Sequence, residues 1–121
     1  MDRLRGRARR LAAFAAALLA LAGTMPGAGA AELIAVELDR CPVCMRFEGT
    51  VALTYPHSEQ GRVAPLRRVN AARGLPPNLA DVRAVPTFIL RDKGREVGRI
   101  IGFDNPTSFY RNVDTLLAAA K

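Results

Sequence analysis

From Glu32 to Leu38 (ELIAVEL) apolar side chains run almost unbroken and stop at Asp39 and Arg40, the pattern of a short buried strand. The period then lengthens. Cys44, Phe47, Val51 and Tyr55 fall at i, i+3, i+7 and i+11, one face of a helix running from Pro42 to Tyr55 and closed by Pro56. Gly49 is the weak point of that helix and the natural place for a bend. Residues Pro56 to Ala64 (PHSEQGRVA) read as a polar loop, and Pro65 to Asn70 (PLRRVN) as a second, weaker strand. Ala71 to Ala84, with Gly74, Pro76 and Pro77, reads as an irregular crossover with room for a helical turn. Thr87–Arg91 and Glu96–Ile101 flank a Gly-containing turn, which predicts a hairpin. Asn105 as N-cap and Pro106 at the first helical position start a last helix, whose apolar face is Phe109, Val113, Leu116, Leu117 and Ala120.

The predicted order is therefore β-α-β, a connection, then β-β-α. A crossover helix makes the first two strands parallel and the hairpin adds an antiparallel pair, so the fold class is α/β with a mixed sheet covered by helices. The chain carries no internal repeat, low-complexity tract or second domain.

The first thirty residues do not belong to this pattern. Arg3, Arg5, Arg7, Arg9 and Arg10 precede an apolar run from Leu11 to Ala22, followed by small residues in which Ala28 and Ala30 suit an A-x-A cleavage site. This is the layout of a secretory signal peptide, and the run is short of the roughly 20 residues a spanning helix needs. Residues 1–30 are expected to be removed, leaving a domain at 31–121 that is not membrane-embedded. Charge is reinterpreted accordingly. Of the formal +7, five arginines and one aspartate put +4 in the leader, so +3 remains on the mature part. A mildly basic surface without a nucleic-acid motif excludes nucleic acid as the expected partner. Arg67 and Arg68 are adjacent and are expected to be solvated or to contact an acidic partner.

A small exported domain would be expected to use disulfides as staples, yet only Cys41 and Cys44 are present. A bridge between them closes too short a loop to restrain the unfolded chain appreciably, so the value of the pair lies in chemistry. In Cys41-Pro42-Val43-Cys44, Cys41 is the N-cap, Pro42 takes the first helical position and Cys44 lies one turn on. Backbone N–H groups then favour the Cys41 thiolate, while Cys44 sits on the apolar face within disulfide reach. This is the division between an attacking and a resolving thiol. A copper(I) site formed by the two sulfurs with Met45 and His57 stays open as an alternative. A four-ligand zinc site does not, because one histidine and two cysteines are too few.

A second motif, Ala84-Val85-Pro86-Thr87-Phe88, opens the predicted hairpin. A CxxC at a strand-to-helix junction followed by VPT at a strand start resembles the thioredoxin-like superfamily across residues 32 to 120. The stretches YPHSEQGR, APLRRVN, VPTFIL and GREVGRIIGF are similar to the small periplasmic thioredoxins of sulfur-oxidation gene clusters, the SoxS-like group. The resemblance implies a minimal thioredoxin-like fold with a cis Val85–Pro86 bond beside the sulfurs. Cys41 and Cys44 would be catalytic, and Arg40, Pro42, Val43, Val85, Pro86 and Thr87 would receive substrate. It also implies a periplasmic thiol-disulfide oxidoreductase that reduces disulfides of partner proteins, a sulfur carrier among them. A membrane thiol transporter would supply electrons, and no cofactor beyond the cysteine pair is implied.

The departures are specific. Arg40 stands where thioredoxins usually carry tryptophan, and Pro42-Val43 replaces Gly-Pro. The buried acid that assists the resolving thiol falls at Ala35, and Glu37 lies two residues on, on the same strand face. The extra N-terminal strand and helix of full-length thioredoxins are missing. These changes leave the exchange chemistry intact and open a DsbA-like oxidase or isomerase reading, because stabilising the Cys41 thiolate raises the potential.

Overall fold

A computed structural model describes residues 30–121, so the predicted leader lies outside the described residues. Four strands form one sheet: β1 (Glu32–Glu37), β2 (Leu66–Asn70), β3 (Thr87–Asp92) and β4 (Arg95–Ile101), in the order β2-β1-β3-β4. β1 runs parallel to β2, and β1–β3 and β3–β4 are antiparallel, so the sheet is mixed as expected. The hairpin turn uses Lys93 and Gly94, both at positive φ (51° and 77°), the left-handed pair that a tight two-residue connection requires.

Both central strands are buried on both faces, and alternation divides their side chains between two clusters. Leu33, Ala35, Phe88 and Leu90 face the helices, where they meet Phe47, Val51, Tyr55, Phe109 and Val113. Phe109 is the hub, with ring centroids at 4.9 Å from Phe88 and 5.4 Å from Phe47. Ile34, Val36 and Ile89 face the other way, against Leu79 and partly buried side chains of the crossover such as Leu75 and Val82. That second face is covered by an irregular segment with two 3-10 turns, Ala71–Arg73 and Pro77–Leu79.

Two sequence expectations need correction. The single helix Pro42–Tyr55 is two: α1 (Pro42–Glu48) ends at Gly49, Thr50 leaves helical geometry at φ −128°, ψ −89°, and α2 (Val51–Thr54) resumes. The apolar face survives the break, since Cys44, Phe47, Val51 and Tyr55 are all buried. The segment read as a polar loop instead holds a 3-10 turn, Tyr55–His57, and a helix, α3 (Glu59–Val63), capped by the Ser58 hydroxyl accepting from Gly61 N–H at 2.9 Å. Gly61 is required there, because a Cβ would overlap the Tyr55 carbonyl. The last helix, α4 (Pro106–Ala119), starts as predicted, with the Asn105 side chain accepting from Ser108 N–H at 2.9 Å.

Candidate functional site

β1 ends at Glu37, and the chain turns through Asp39 and Arg40 before entering α1. Arg40 holds φ at 59°, a left-handed conformation uncommon for a residue with a Cβ. The turn delivers Cys41 in an extended conformation as the N-cap of α1. Its Sγ accepts from the Cys44 N–H at 3.2 Å, and Pro42 takes the position that needs no N–H. Cys41 and Cys44 are joined as a disulfide with Cα atoms 5.1 Å apart, as their spacing predicted. Cys41 is half-buried and Cys44 is buried on the apolar face at 3 % exposure, so the two sulfurs differ in access.

The second motif arrives from β3. Antiparallel pairing sets Val36 opposite Thr87, so the start of β3 lies beside the end of β1 and the AVPT segment reaches the cysteines. The Val85–Pro86 bond is cis, and the Val85 carbonyl oxygen lies 4.0 Å from Cys41 Sγ. Pro86 is buried and its carbonyl accepts from Gly102 N–H at 2.8 Å, tying the loop to the end of β4. Thr87 is buried at 2 % exposure with its hydroxyl donating to the Ala84 carbonyl at 2.7 Å, so it shapes this loop from inside. Around the sulfurs Arg40 and Pro42 are exposed, and Val43 and Val85 are half-buried. Of the predicted substrate-facing residues, these four and Pro86 frame the disulfide.

On the other side of α1, Glu37, Arg40, Cys44, Glu48 and Arg68 line one cavity of about 340 Å³. Arg68, exposed as expected, also donates twice to the Glu48 carboxylate, at 2.6 and 3.0 Å. Arg67 likewise pairs within the chain, with Glu32 at 3.1 Å. The guanidinium holds the Glu48 carboxyl below its ordinary range. Burial, then a hydrogen bond to Glu48 and its charge, push Glu37 up to about 8, against which Arg68 pulls down. Sequence reading placed Glu37 on this face but did not single out Glu48, although its i+4 spacing from Cys44 was available as a signal. His57 sits in the 3-10 turn after α2 and does not join the sulfurs. Among the described residues, no three His, Cys, Asp or Glu side chains gather as metal ligands, and no helix is long and apolar enough to cross a membrane.

A disulfide at a helix start, one sulfur more accessible than the other, with a cis-proline loop beside it, defines a thiol-disulfide oxidoreductase of the thioredoxin-like fold. No family sequence model and no curated protein matches the chain. Among solved structures, the periplasmic thioredoxin SoxS from Paracoccus pantotrophus is 31 % identical with a TM-score of 0.70, the match covering 75 % of this chain and 99 % of that one. Trxlp from Edwardsiella tarda is 30 % identical with a TM-score of 0.58, over 74 % of this chain and 84 % of that one. A thioredoxin from Malassezia sympodialis, 18 % identical with a TM-score of 0.60 over 74 % and 76 %, shares the fold. The chain belongs to the thioredoxin family, and within it to the SoxS-like kind.

Proposed function

We propose that the chain is exported, loses residues 1–30 and works in the periplasm as a reductase of protein disulfides. Cys41 attacks a partner's sulfur, Cys44 resolves the mixed disulfide, and a membrane thiol transporter returns the electrons. The observation that carries this reading is the difference in access between Cys41 and the buried Cys44 at the start of α1. The likeness to a protein described as a periplasmic thioredoxin supports the compartment. Disulfide-bearing periplasmic proteins, a sulfur carrier among them, are its substrates, and they dock along Val85 as an added strand.

The test is trapping. Cys44→Ser expressed with its leader should accumulate mixed disulfides through Cys41 in the periplasmic fraction, where the free protein should begin at Ala31. Cys41→Ser should trap nothing. Equal trapping by both variants, or by neither, would overturn the assigned roles, and an intact Met1 would overturn export by cleavage. A redox titration against glutathione separates the reductase from a DsbA-like oxidase: a potential near that of DsbA, about −120 mV, defeats the reductase reading.

A further inference from the structure

The arginines of the chain divide by whether an acid neutralises them. Among the described residues, ion pairs take up Arg67, Arg68 and Arg99. None takes up Arg40, Arg73 or Arg83, and all three are exposed. The topology gathers these three at one end of the sheet. β1 and β2 are parallel, with Glu37 opposite Asn70, so the turn holding Arg40 and the 3-10 turn ending at Arg73 leave the sheet side by side. The Asn70 amide donates to Asp39 at 3.3 Å and ties the two turns together. Arg83 lies two residues before Val85, whose carbonyl oxygen is 4.0 Å from Cys41 Sγ, and Arg40 is bonded to Cys41 itself. The three cations therefore share the end of the sheet that carries the disulfide. The acids there are already engaged, Asp39 with Asn70 and Asp81 with Arg99 at 2.9 Å. On the helix side Arg46 donates to the Phe103 carbonyl at 3.1 Å, next to the exposed Asp104, so the excess positive charge lies on the crossover side. Arg40 also holds φ at 59°, where glycine or asparagine would sit at lower cost. The backbone gives no reason for an arginine at that position; the side chain does.

We propose that this rim docks partner proteins whose reactive disulfide lies in an extended segment flanked by acidic residues, with Arg40, Arg73 and Arg83 meeting the carboxylates. The cations come from three separate segments, so a ligand that meets all of them is extended. Beside Arg40, Leu38 and Met45 are 38 % and 65 % exposed on the cavity that also holds Cys44, an apolar surface that a polypeptide covers and a small anion does not. Complementary charge of this kind acts mainly on encounter, steering the right partner to the sulfurs and slowing the wrong one. The chemistry stays that of the exchange described above: Cys41 and Cys44 are oxidised to the disulfide as the partner's disulfide is reduced. The inference deepens the proposed function and rests on its reading of Cys41 as the attacking sulfur.

The test mixes the reduced chain with two synthetic peptides that carry the same internal disulfide, flanked by aspartate and glutamate in one and by serine and glutamine in the other. The chain has no tryptophan, so the reaction is followed by acid quench, alkylation and mass spectrometry. Each rate constant is divided by that of the same peptide with dithiothreitol, which removes the peptides' own difference in reactivity. At about 20 mM ionic strength the acidic peptide should be favoured about tenfold, and at about 0.5 M salt the preference should shrink to within about twofold. Arg40→Gln and Arg83→Gln should each lower the preference by about threefold. Arg62→Gln, an exposed site just before β2 at the opposite end of the sheet, should leave it unchanged. Absence of a preference at low salt, a preference that survives high salt, or an equal loss in Arg62→Gln overturns the proposal. An equal preference for dithiodiglycolate, a small disulfide dianion, over the neutral hydroxyethyl disulfide would show anion recognition without a polypeptide and overturns it as well. These results leave the trapping of partners by Cys44→Ser intact, whereas a reduced chain that opens neither peptide sinks the cysteine roles themselves.

Discussion

Replacing Glu37 by glutamine removes one titrating proton from the folded chain, and stability should then lose part of its dependence on pH. In the unfolded chain Glu37 ionises near 4.5, whereas in the folded oxidised protein it holds its proton to about 8. Between those values the folded state binds the extra proton, so stability falls as pH rises. The contribution is complete below 4.5 and gone above 8. At about 1.4 kcal/mol per pKa unit the ceiling is about 5 kcal/mol. Glu37 is half-buried, and solvent screening brings the expected effect to about 1–3 kcal/mol. Glu48 has the opposite sign: its depressed value makes a contribution that is lost only as pH drops below the ordinary carboxylate range, outside the window. Urea unfolding of the oxidised native chain and of Glu37→Gln at pH 5 and pH 9 isolates the term, since the closed disulfide keeps both cysteines from titrating. Native protein should lose about 1–3 kcal/mol more than the variant between the two pH values. Parallel losses would refute the reasoning and return Glu37 to the ordinary surface carboxylates.

Tyr55→Phe should cost about 1–3 kcal/mol in urea unfolding, because the Tyr55 hydroxyl donates to the Ala64 carbonyl at 2.7 Å where both residues are fully buried, and phenylalanine leaves that carbonyl without its donor. An unchanged midpoint would show that the bond carries no net stability. Phe109→Ala removes the ring on which Phe47, Phe88, Phe103, Tyr55 and Tyr110 converge, and should cost about 3–5 kcal/mol by calorimetry. A loss below about 1.5 kcal/mol would mean the cluster repacks around a smaller side chain.

The cysteine half of the site is announced by local chemistry, whereas the place of the Val85–Pro86 loop beside it came from the likeness to thioredoxins. Cys41 and Pro42 suit a helix start whatever lies elsewhere, and Pro86 before an apolar run marks a strand opening. The hairpin and α4 were legible for the same reason, through Gly94 and the Asn105-Pro106 pair. α3 was not, since Gln60 and Gly61 lack a helical apolar face and Gly61 is there for the Tyr55 carbonyl behind it. Ser58 was the available signal, being a good N-cap directly before Glu59. Gly49 suggested a bend, but a full break at Thr50 depends on how α1 and α2 each seat on the sheet. Arg68 reads as a surface cation until the parallel ladder brings β2 beside β1, opposite Ala35, and Glu48 of α1 reaches it. Contacts of that kind join distant segments and leave no periodic trace.

The ladder between β1 and β3 is also what allows the two motifs to meet. Val36 opposite Thr87 is a single register choice, and the cysteines and the Val85–Pro86 loop extend from the two ends it brings together. Slipping that pairing by one residue would turn one strand over relative to the other and part the motifs at the same time. The long stretch between Cys44 and Pro86 bears no such constraint on its length. Turns and crossover segments there can be lengthened or exchanged while the sulfur and the proline loop keep their separation, so the active site can be inherited unchanged by proteins whose partner-facing surfaces differ widely.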